Sequence, residues 1–403
     1  MTSGHSSKTT LLANIRLPDG RMADMAIVDG LVADIAAPHA LKIDGAEQID
    51  AAGMLVLPGL VDGHMHIDKT LTGLPWMPHM AGPERLSRIE TEKRLRADLP
   101  PVAERAADLV RRCIAAGTTA LRSHVDIDPE IGLDHLHALM QVRERFADCI
   151  DMQFVAFPQS GVLRTPGTAE LLEAALLEGA DLLGGLDPIL IDGDLDGQLD
   201  ILFAIAERRD VGIDIHLHDT GAHGLAEINA LCRRASAAGL AGRITVSHGF
   251  CLGAADDAEF ESAADAMADA GVSLVTHGGG ASPLPPVKRL REHGVVVFAG
   301  NDDIRDPWSP FGNGDMLERA MLLAWRSGYR TDDDLALAFD CASSAGAEVL
   351  GLEGFGLDVG CRADFFTIEA ECLAEAVAQR GCRISVLKAG RVVARDGAFL
   401  GGF

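Results

Sequence analysis

Short apolar runs alternate with segments of helical periodicity along most of this chain. Eight runs have the length of a β-strand, near residues 55–62, 119–125, 152–157, 182–186, 211–216, 243–248, 272–276 and 295–300. The segments between them repeat apolar residues every three or four positions, as a helix with one buried face does. After the second strand this unit recurs about every 30 residues, the size of a βαβ unit. The pattern predicts a parallel sheet closed into a (β/α)8 TIM barrel.

An open doubly wound sheet is the alternative architecture for the same alternation. No GxGxxG turn follows the first predicted strand, and polar residues gather after every strand rather than at one switch point. Both observations favour the closed barrel.

Both ends of the chain show a different pattern, of short strands joined by tight turns. Residues 19–35 alternate around the turn Asp29-Gly30, and residues 358–397 contain two similar turns. We predict that the ends together form a small β-sandwich domain, residues 1–57 and 355–403, and that residues 58–354 form the barrel.

The segment from Ile67 to Pro101 is rich in proline, methionine and charge. It is too long for an ordinary connection within a barrel. We predict that it serves as a lid over the site or as an arm in an oligomer.

Composition narrows the class of partner. There are 35 Lys and Arg against 60 Asp and Glu, which gives a formal net charge of −25. Nucleic acid and anionic membrane partners are not expected, because both require clustered basic residues. The eight cysteines are scattered without a CxxC pair, no run reaches membrane-spanning length, and the N-terminus is polar. We therefore predict a cytoplasmic protein that binds a small molecule.

Histidine and aspartate dominate the positions where the predicted strands end, which is where barrel enzymes place their active sites. His64 and His66 lie two apart in a strand and therefore point to the same face. The other such positions are His124, Asp126, Gln159, Asp187, His216, His218, Asp219, His248, His277, Asn301, Asp302 and Asp303. Three imidazoles and one carboxylate suit Zn²⁺ or Fe²⁺ and leave a position for water. No lysine ends the fourth strand to bridge two ions, so we predict one divalent metal ion per chain.

Several motifs resemble one known family. The opening Pro58-Gly59-Leu60-Val61-Asp62-Gly63-His64-Met65-His66 resembles that of the amidohydrolase superfamily, and Asp358-Val359-Gly360-Cys361-Arg362-Ala363-Asp364 is similar to its return into the small β domain. Four further motifs resemble the cytosine deaminase branch: Ser123-His124-Val125-Asp126, Val155-Ala156-Phe157-Pro158-Gln159-Ser160-Gly161, Ser247-His248 and Asp302-Asp303-Ile304-Arg305-Asp306-Pro307-Trp308. The resemblance covers nearly the whole chain.

The resemblance implies a role for each matched residue. The metal ligands would be His64, His66, His216 and Asp302, and His248 would position the hydrolytic water. Gln159 would bind the ring amide, since a carboxamide offers both a donor and an acceptor. Trp308 would stack on a planar ring, and His124 and Asp303 would also bind substrate. By its position two residues after His216, His218 shares the strand face of that residue; it is expected to support the metal ligands, with a position facing the pocket as the alternative. The resemblance also implies a homo-oligomer.

Two positions depart from the cytosine deaminase pattern. Asp219 stands where that enzyme has a glutamate, and Asn301 replaces a histidine. These departures resemble isopropylammelide isopropylaminohydrolases, as do His216-Leu217-His218-Asp219, Gly184-Gly185-Leu186-Asp187-Pro188 and Pro310-Phe311-Gly312-Asn313-Gly314-Asp315-Met316. Asp303, however, matches cytosine deaminase. The substrate stays open between an aminopyrimidine and an alkylaminotriazine.

The sequence therefore predicts a metal-dependent aminohydrolase that replaces an exocyclic amino or alkylamino group of a pyrimidine or triazine with oxygen. In the predicted mechanism His248 orients the water, and Asp219 carries its proton to the ring and then to the leaving nitrogen. A cyclic amide hydrolase on the same barrel and a catalytically silent binding relative are the alternatives. A zinc deaminase of the HxE and PCxxC type is excluded because that signature is absent.

Overall fold

The computed structural model describes residues 9–80, 82 and 84–401, and in them a parallel barrel lies beside a separate mixed sheet. The strands are β1 (Thr9–Arg16), β2 (Met22–Val28), β3 (Leu31–Ala36), β4 (Glu47–Asp50), β5 (Leu55–Pro58), β6 (Leu60–Met65), β7 (Thr118–Asp126), β8 (Asp151–Phe157), β9 (Leu182–Leu186), β10 (Ile213–Leu217), β11 (Ile244–His248), β12 (Val272–Thr276), β13 (Val297–Ala299), β14 (Phe365–Ile368), β15 (Arg383–Lys388), β16 (Arg391–Arg395) and β17 (Ala398–Phe399). The helices are α1 (Arg85–Arg96), α2 (Val102–Ala115), α3 (Asp134–Phe146), α4 (Thr168–Leu177), α5 (Leu195–Arg209), α6 (Gly221–Ala238), α7 (Asp257–Asp269), α8 (Val287–Glu292), α9 (Met316–Ser327), α10 (Asp332–Cys341), α11 (Ser344–Val349) and α12 (Leu373–Gln379).

Strands β6 to β13 form the barrel in chain order, and every neighbouring pair is parallel. A bridge between Met65 and Asp302 closes the circle, and the backbone N–H of Asp302 donates to the carbonyl of His64 at 2.7 Å. Closure is tight here, because a Cβ on Gly300 would lie 2.5 Å from the backbone of His64. The barrel strands are buried on both faces, as helix-covered parallel strands must be. The predicted TIM barrel is confirmed.

The apolar run at residues 55–62 forms two strands rather than one. It breaks at Gly59, where β5 ends in the small sheet and β6 begins the barrel. A Cβ at Gly59 would lie 2.1 Å from the hydroxyl oxygen of Thr119, so only glycine passes between the two sheets here. Hydrophobic periodicity alone does not reveal this change of sheet.

The nine remaining strands form one mixed sheet from both ends of the chain. Strands β5 and β14 pair antiparallel and join the N-terminal strands to the C-terminal ones. Lys388 connects this sheet to the barrel: its ammonium donates to the carbonyl of Thr119 at 3.0 Å and to the carboxylates of Asp151 at 2.7 Å and Asp364 at 2.8 Å. The small β domain built from both chain ends is confirmed, while the boundaries at residues 57/58 and 354/355 stay a prediction.

Helix α1 lies across the carboxyl end of the barrel, held there by ion pairs to residues at the ends of barrel strands. Arg85 contacts Asp187 at 2.6 Å, and Arg96 contacts Asp126 at 2.9 Å and Asp128 at 3.2 Å. This position supports the lid interpretation of residues 67–101. Among the described residues, no helix is both long and apolar enough to cross a membrane.

Candidate metal centre and active site

The four residues implied as metal ligands converge at the carboxyl end of the barrel. Asp302 Oδ1 lies 3.2 Å from His64 Nε2 and 3.5 Å from His66 Nε2. The Nε2 atoms of His66 and His216 lie 3.3 Å apart. These atoms come from β6 and the residue that follows it, from β10 and from the turn after β13, so barrel closure itself brings them together.

The chemistry of this cluster fits a divalent metal ion. Burial, together with the charge of Lys69, holds the pKa of His66 well below its usual range, and burial holds that of His216 well below as well. The rings are therefore neutral, and each can offer a nitrogen lone pair to a cation. The buried Nε2 of His64 has no hydrogen-bond partner among the described residues. A cation would satisfy these lone pairs, and the Asp302 carboxylate would supply charge.

The backbone at the strand ends directs two of the site's side chains. Asp302 has a φ of 62° and His248 a φ of 76°, both in the left-handed region that non-glycine residues rarely adopt. Such conformations cluster at active sites, where the surrounding structure holds them.

A buried hydrogen-bond chain orients His64 from beneath the cluster. The hydroxyl of Ser247 donates to Asp214 Oδ1 at 2.6 Å, and its oxygen lies 2.9 Å from His64 Nδ1. Burial acts to raise the pKa of Asp214, but His124 and Arg122 outweigh it and the pKa is lowered, so the carboxylate is charged. Ser247 therefore accepts the Nδ1–H of His64, which leaves Nε2 free for a metal.

Replacing Ser247 by alanine is expected to weaken metal binding about 10- to 100-fold, because His64 loses the partner that fixes its tautomer. Metal dissociation constants from competition with a chelator measure this. Ser273→Ala is the matched control, since Ser273 is a buried strand serine that bonds Thr245 rather than a metal ligand. Equal affinities in Ser247→Ala and the wild type would contradict the orienting role.

His248 lies beside two of the implied metal ligands, His64 and His216. Its ring centroid is 5.0 Å from those of His64 and His216. Neither ring nitrogen has a hydrogen-bond partner in the described part of the chain. His248 is therefore available to position a water next to the cluster.

His218 faces the site and is held by a buried carboxylate. Its ring stacks on that of His248 at 4.2 Å. Its backbone N–H donates to Asp187 Oδ1 at 2.6 Å, and its Nδ1 lies 2.9 Å from Asp187 Oδ2. Asp187 keeps a lowered pKa because the contacts with His218 and Arg85 outweigh its burial. The contact with the Asp187 carboxylate fixes the tautomer with the proton on Nδ1, so Nε2 carries the lone pair, and His218 is one of the residues that line a pocket beside the implied metal ligands.

Asp219 lies in a different environment from that of His218. One of its oxygens accepts from Arg85 at 3.0 Å, and the carboxyl is paired with that of Glu227. Burial, followed by the charge of Asp219, raises the pKa of Glu227 to about 9, so this carboxyl is protonated near neutral pH. The pocket beside the implied metal ligands, here called the inner pocket, is lined in part by His66, His216 and His218, and Asp219 is absent from its described lining. Its predicted role as proton carrier stays a prediction.

The inner pocket beside the metal ligands brings three of the predicted substrate residues together: Gln159, Asp303 and Trp308. Gln159 Oε1 accepts a hydrogen bond from the ammonium of Lys69, which leaves the amide N–H groups as donors. The indole N–H of Trp308 donates to Glu92 at 2.7 Å and so fixes the ring. Burial and Asp306 raise the pKa of Asp303 well above its usual range. A planar ring would therefore find an amide donor and an indole face here.

His124, predicted to bind substrate, lies deeper than the other three. It is fully buried, its ring is 4.3 Å from that of His64, and its Nε2 is 3.4 Å from Asp214. Burial lowers its pKa to about 4. It is absent from the described lining of the inner pocket, and its contacts are instead with His64 and Asp214.

Two cations in the pocket wall were not among the predicted site residues. Lys69 stands three residues after His66, and Arg85 comes from α1. The nearby charges of Asp126 and Glu92 outweigh burial and raise the pKa of Lys69, so it is charged. For Lys69, its position shortly after the His64-Met65-His66 motif was the one sequence signal for a place at the site. For Arg85 the sequence contains no such signal, because its segment has no strand register.

Comparisons with known proteins agree with the site. A family model described as the amidohydrolase family matches residues 47–394. The chain is 34% identical over 377 residues to N-isopropylammelide isopropyl amidohydrolase of Pseudomonas sp. (strain ADP). The aligned region covers 91% of this chain and 93% of that protein.

Two solved structures share the whole fold. N-isopropylammelide isopropylaminohydrolase from Burkholderia multivorans ATCC 17616 superimposes with a TM-score of 0.94 at 42% identity, over 98% of this chain and 100% of the other. The structure of 5-methylcytosine deaminase from Klebsiella pneumoniae liganded with 5-fluorocytosine superimposes with a TM-score of 0.83 at 27% sequence identity. The superposition covers 96% of this chain and 97% of the other. This chain belongs to the amidohydrolase family and is a hydrolase of carbon–nitrogen bonds.

Proposed function

We propose that this protein is a metal-dependent aminohydrolase that replaces an exocyclic amino or alkylamino group of a pyrimidine or triazine with oxygen. The observation that carries the proposal is the convergence of His64, His66, His216 and Asp302 beside a pocket lined by Gln159. Water adds to the amine-bearing ring carbon, the carbon–nitrogen bond breaks, and ammonia or an amine leaves.

One divalent ion, Zn²⁺ or Fe²⁺, would be held by the three histidines and Asp302. When bound, such an ion lowers the pKa of a coordinated water toward about 7. The donor set of neutral imidazoles and one carboxylate suits either metal.

The protein's own residues bind the ring and move protons. The amide N–H of Gln159 donates to a ring oxygen, and Trp308 lies against the ring face. His248 accepts a hydrogen bond from the attacking water. His218, whose Nδ1–H is held by Asp187, takes up a proton at Nε2 and gives it to the leaving nitrogen, which must be protonated to depart as an amine.

An alkylamine as leaving group has specific support. His218 and His248 also line an outer cavity of about 1220 Å³, whose wall includes Leu190, Phe250 and Phe311. This space adjoins the proposed proton donor and accommodates an apolar substituent on the leaving nitrogen. The relatives named for N-isopropylammelide are also the more similar, at 42% identity against 27% for the 5-methylcytosine deaminase.

The test is amine or ammonia release by the metal-loaded protein from cytosine, 5-methylcytosine, isocytosine, ammelide and N-isopropylammelide, with a cyclic amide as control. We expect release from the aminated rings, at the highest kcat/KM for N-isopropylammelide. Ring opening of the cyclic amide without release from any aminated ring would overturn the proposal in favour of a cyclic amide hydrolase.

A further inference from the structure

A groove where the barrel meets the small sheet concentrates positive charge. It lies between the C-terminal end of α2, the turn before α9 and the start of β15, and its volume is about 670 Å³. We call it the arginine groove. It shares no lining residue with the inner pocket or the outer cavity. The charged side chains in its described wall are Arg111, Arg112, Arg380, Arg383, Asp108 and Asp315.

Both carboxylates of the groove are already paired. Asp108 contacts Arg111 at 2.5 Å within α2. Asp315 accepts from Nη2 of Arg383 and also caps α9, where it accepts from the backbone N–H of Leu317 at 2.9 Å. Each carboxylate therefore neutralises one arginine, and the other two arginines have no counter-charge in the groove wall.

Those two arginines, Arg112 and Arg380, retain most of their donors. The side chain of Arg112 is exposed and makes no hydrogen bond or ion pair with the described residues. Arg380 donates from Nη1 to the carbonyl of Ala378 at 2.8 Å, which leaves its charge uncompensated. A guanidinium carries five donors in a rigid plane. The groove thus offers two free guanidinium groups on a chain whose formal net charge is −25.

Arg383 adds an open donor to the groove wall. This residue is only 4% exposed, and its Nη1 donates to the carbonyl of Gly381 at 2.9 Å. Its Nε is buried and has no hydrogen-bond partner in the part of the chain that the structure describes. A buried donor without an acceptor costs free energy. The wall of the groove therefore lacks an acceptor as well as a counter-charge.

We propose that the arginine groove is a binding site for a small organic anion that carries a phosphate or a carboxylate group. The planar guanidinium fork matches two oxygens of either group. Ala115, Ala116 and Phe399 line the same groove and would contact the apolar part of the ligand. This site is additional to the proposed reaction site, and the proposal stands whether or not the aminohydrolase reaction is found.

The test uses Cys382, an exposed free thiol in the groove wall, to report occupancy. The metal-loaded protein is alkylated with iodoacetamide in the presence of phenyl phosphate, benzoate or the neutral benzamide, and peptide mass spectrometry gives the rate at each cysteine. We expect phenyl phosphate or benzoate to slow the alkylation of Cys382 in a saturable way, and benzamide to leave it unchanged. Cys372, which is partly buried and absent from the described groove lining, is the internal control and should react at the same rate throughout.

Variants of the two free arginines assign the protection to the groove. In Arg112→Gln/Arg380→Gln we expect the anion concentration for half-maximal protection to rise about tenfold or more, because charged hydrogen bonds are lost. Arg112→Gln alone serves if the double variant is unstable, since this side chain has no partner to lose. Arg233→Gln is the matched control: Arg233 is exposed on α6 beside the buried Cys232, as Arg112 is beside Cys113 on α2.

The two anions also distinguish the possible ligands. Protection by phenyl phosphate alone would identify a phosphate ligand, protection by benzoate alone a carboxylate ligand, and either result supports the proposal. Three results would overturn it: no protection of Cys382 by either anion, equal protection by benzamide, or a protection constant in the folded Arg112 variants equal to that of the wild type.

Discussion

Replacing Asp302 by asparagine is expected to lower turnover about 10³-fold or more, because the metal would lose its one charged ligand and with it several kcal/mol of transition-state stabilisation. Asp302 Oδ1 lies within 3.5 Å of both His64 and His66, so the substitution acts at the centre of the cluster. The amide is isosteric with the carboxylate, so the barrel closure made by the backbone of Asp302 stays intact.

The prediction for Asp302→Asn is tested by measuring both its metal content and its turnover. We expect Asp302→Asn to bind metal more than about 100-fold more weakly than the wild type. This loss of affinity exceeds the loss of about 10- to 100-fold that is typical when a residue supporting a metal ligand is replaced. Asp340→Asn is the control, since Asp340 pairs with Arg291 away from the site. An Asp302→Asn protein with one metal per chain and turnover within tenfold of the wild type would remove Asp302 from the ligand set.

The second large effect is expected at His218. His218→Gln should lower kcat about 10²- to 10⁴-fold, the usual contribution of a positioned acid or base. The reason is geometric: His218 lines the inner pocket, stacks on His248 and is held in one tautomer by Asp187. Steady-state kinetics should show the loss in kcat, with metal content unchanged.

Asp219→Asn provides the contrast, because the sequence predicts this residue as the proton carrier. Asp219 contacts Arg85 and Glu227, so we expect a loss of about tenfold or less, the value of one hydrogen bond. A larger fall in kcat for Asp219→Asn than for His218→Gln would restore the mechanism predicted from the sequence.

The barrel and the convergence of histidine and aspartate side chains at its rim are predictable from the sequence because both follow local rules. Each barrel strand is a short apolar run, and the ligands His64, His66 and His216 stand near the ends of such runs. Parallel strands bring their carboxyl ends to one rim. The convergence of these side chains therefore needs no knowledge of long-range contacts.

The pocket wall is not predictable in the same way. Arg85 lies in a segment without strand register, and its contact with Asp187 joins residues far apart in sequence. Asp219 and His218 are adjacent in sequence, yet only one of them lines the pocket, because β10 ends at Leu217 and the chain then turns into α6. The direction of a side chain after a strand end depends on that turn, which motif spacing does not contain.

The pairing of β5 with β14 has a consequence for how the protein is made. The small sheet joins its halves only after the whole barrel between Pro58 and Phe365 has left the ribosome. Pairings between strands this distant in sequence form slowly. Until β14 pairs with it, β5 exposes an unpaired edge that can associate with other chains. Translation speed and chaperone supply should therefore govern the yield of native protein more strongly than the stability of the finished barrel.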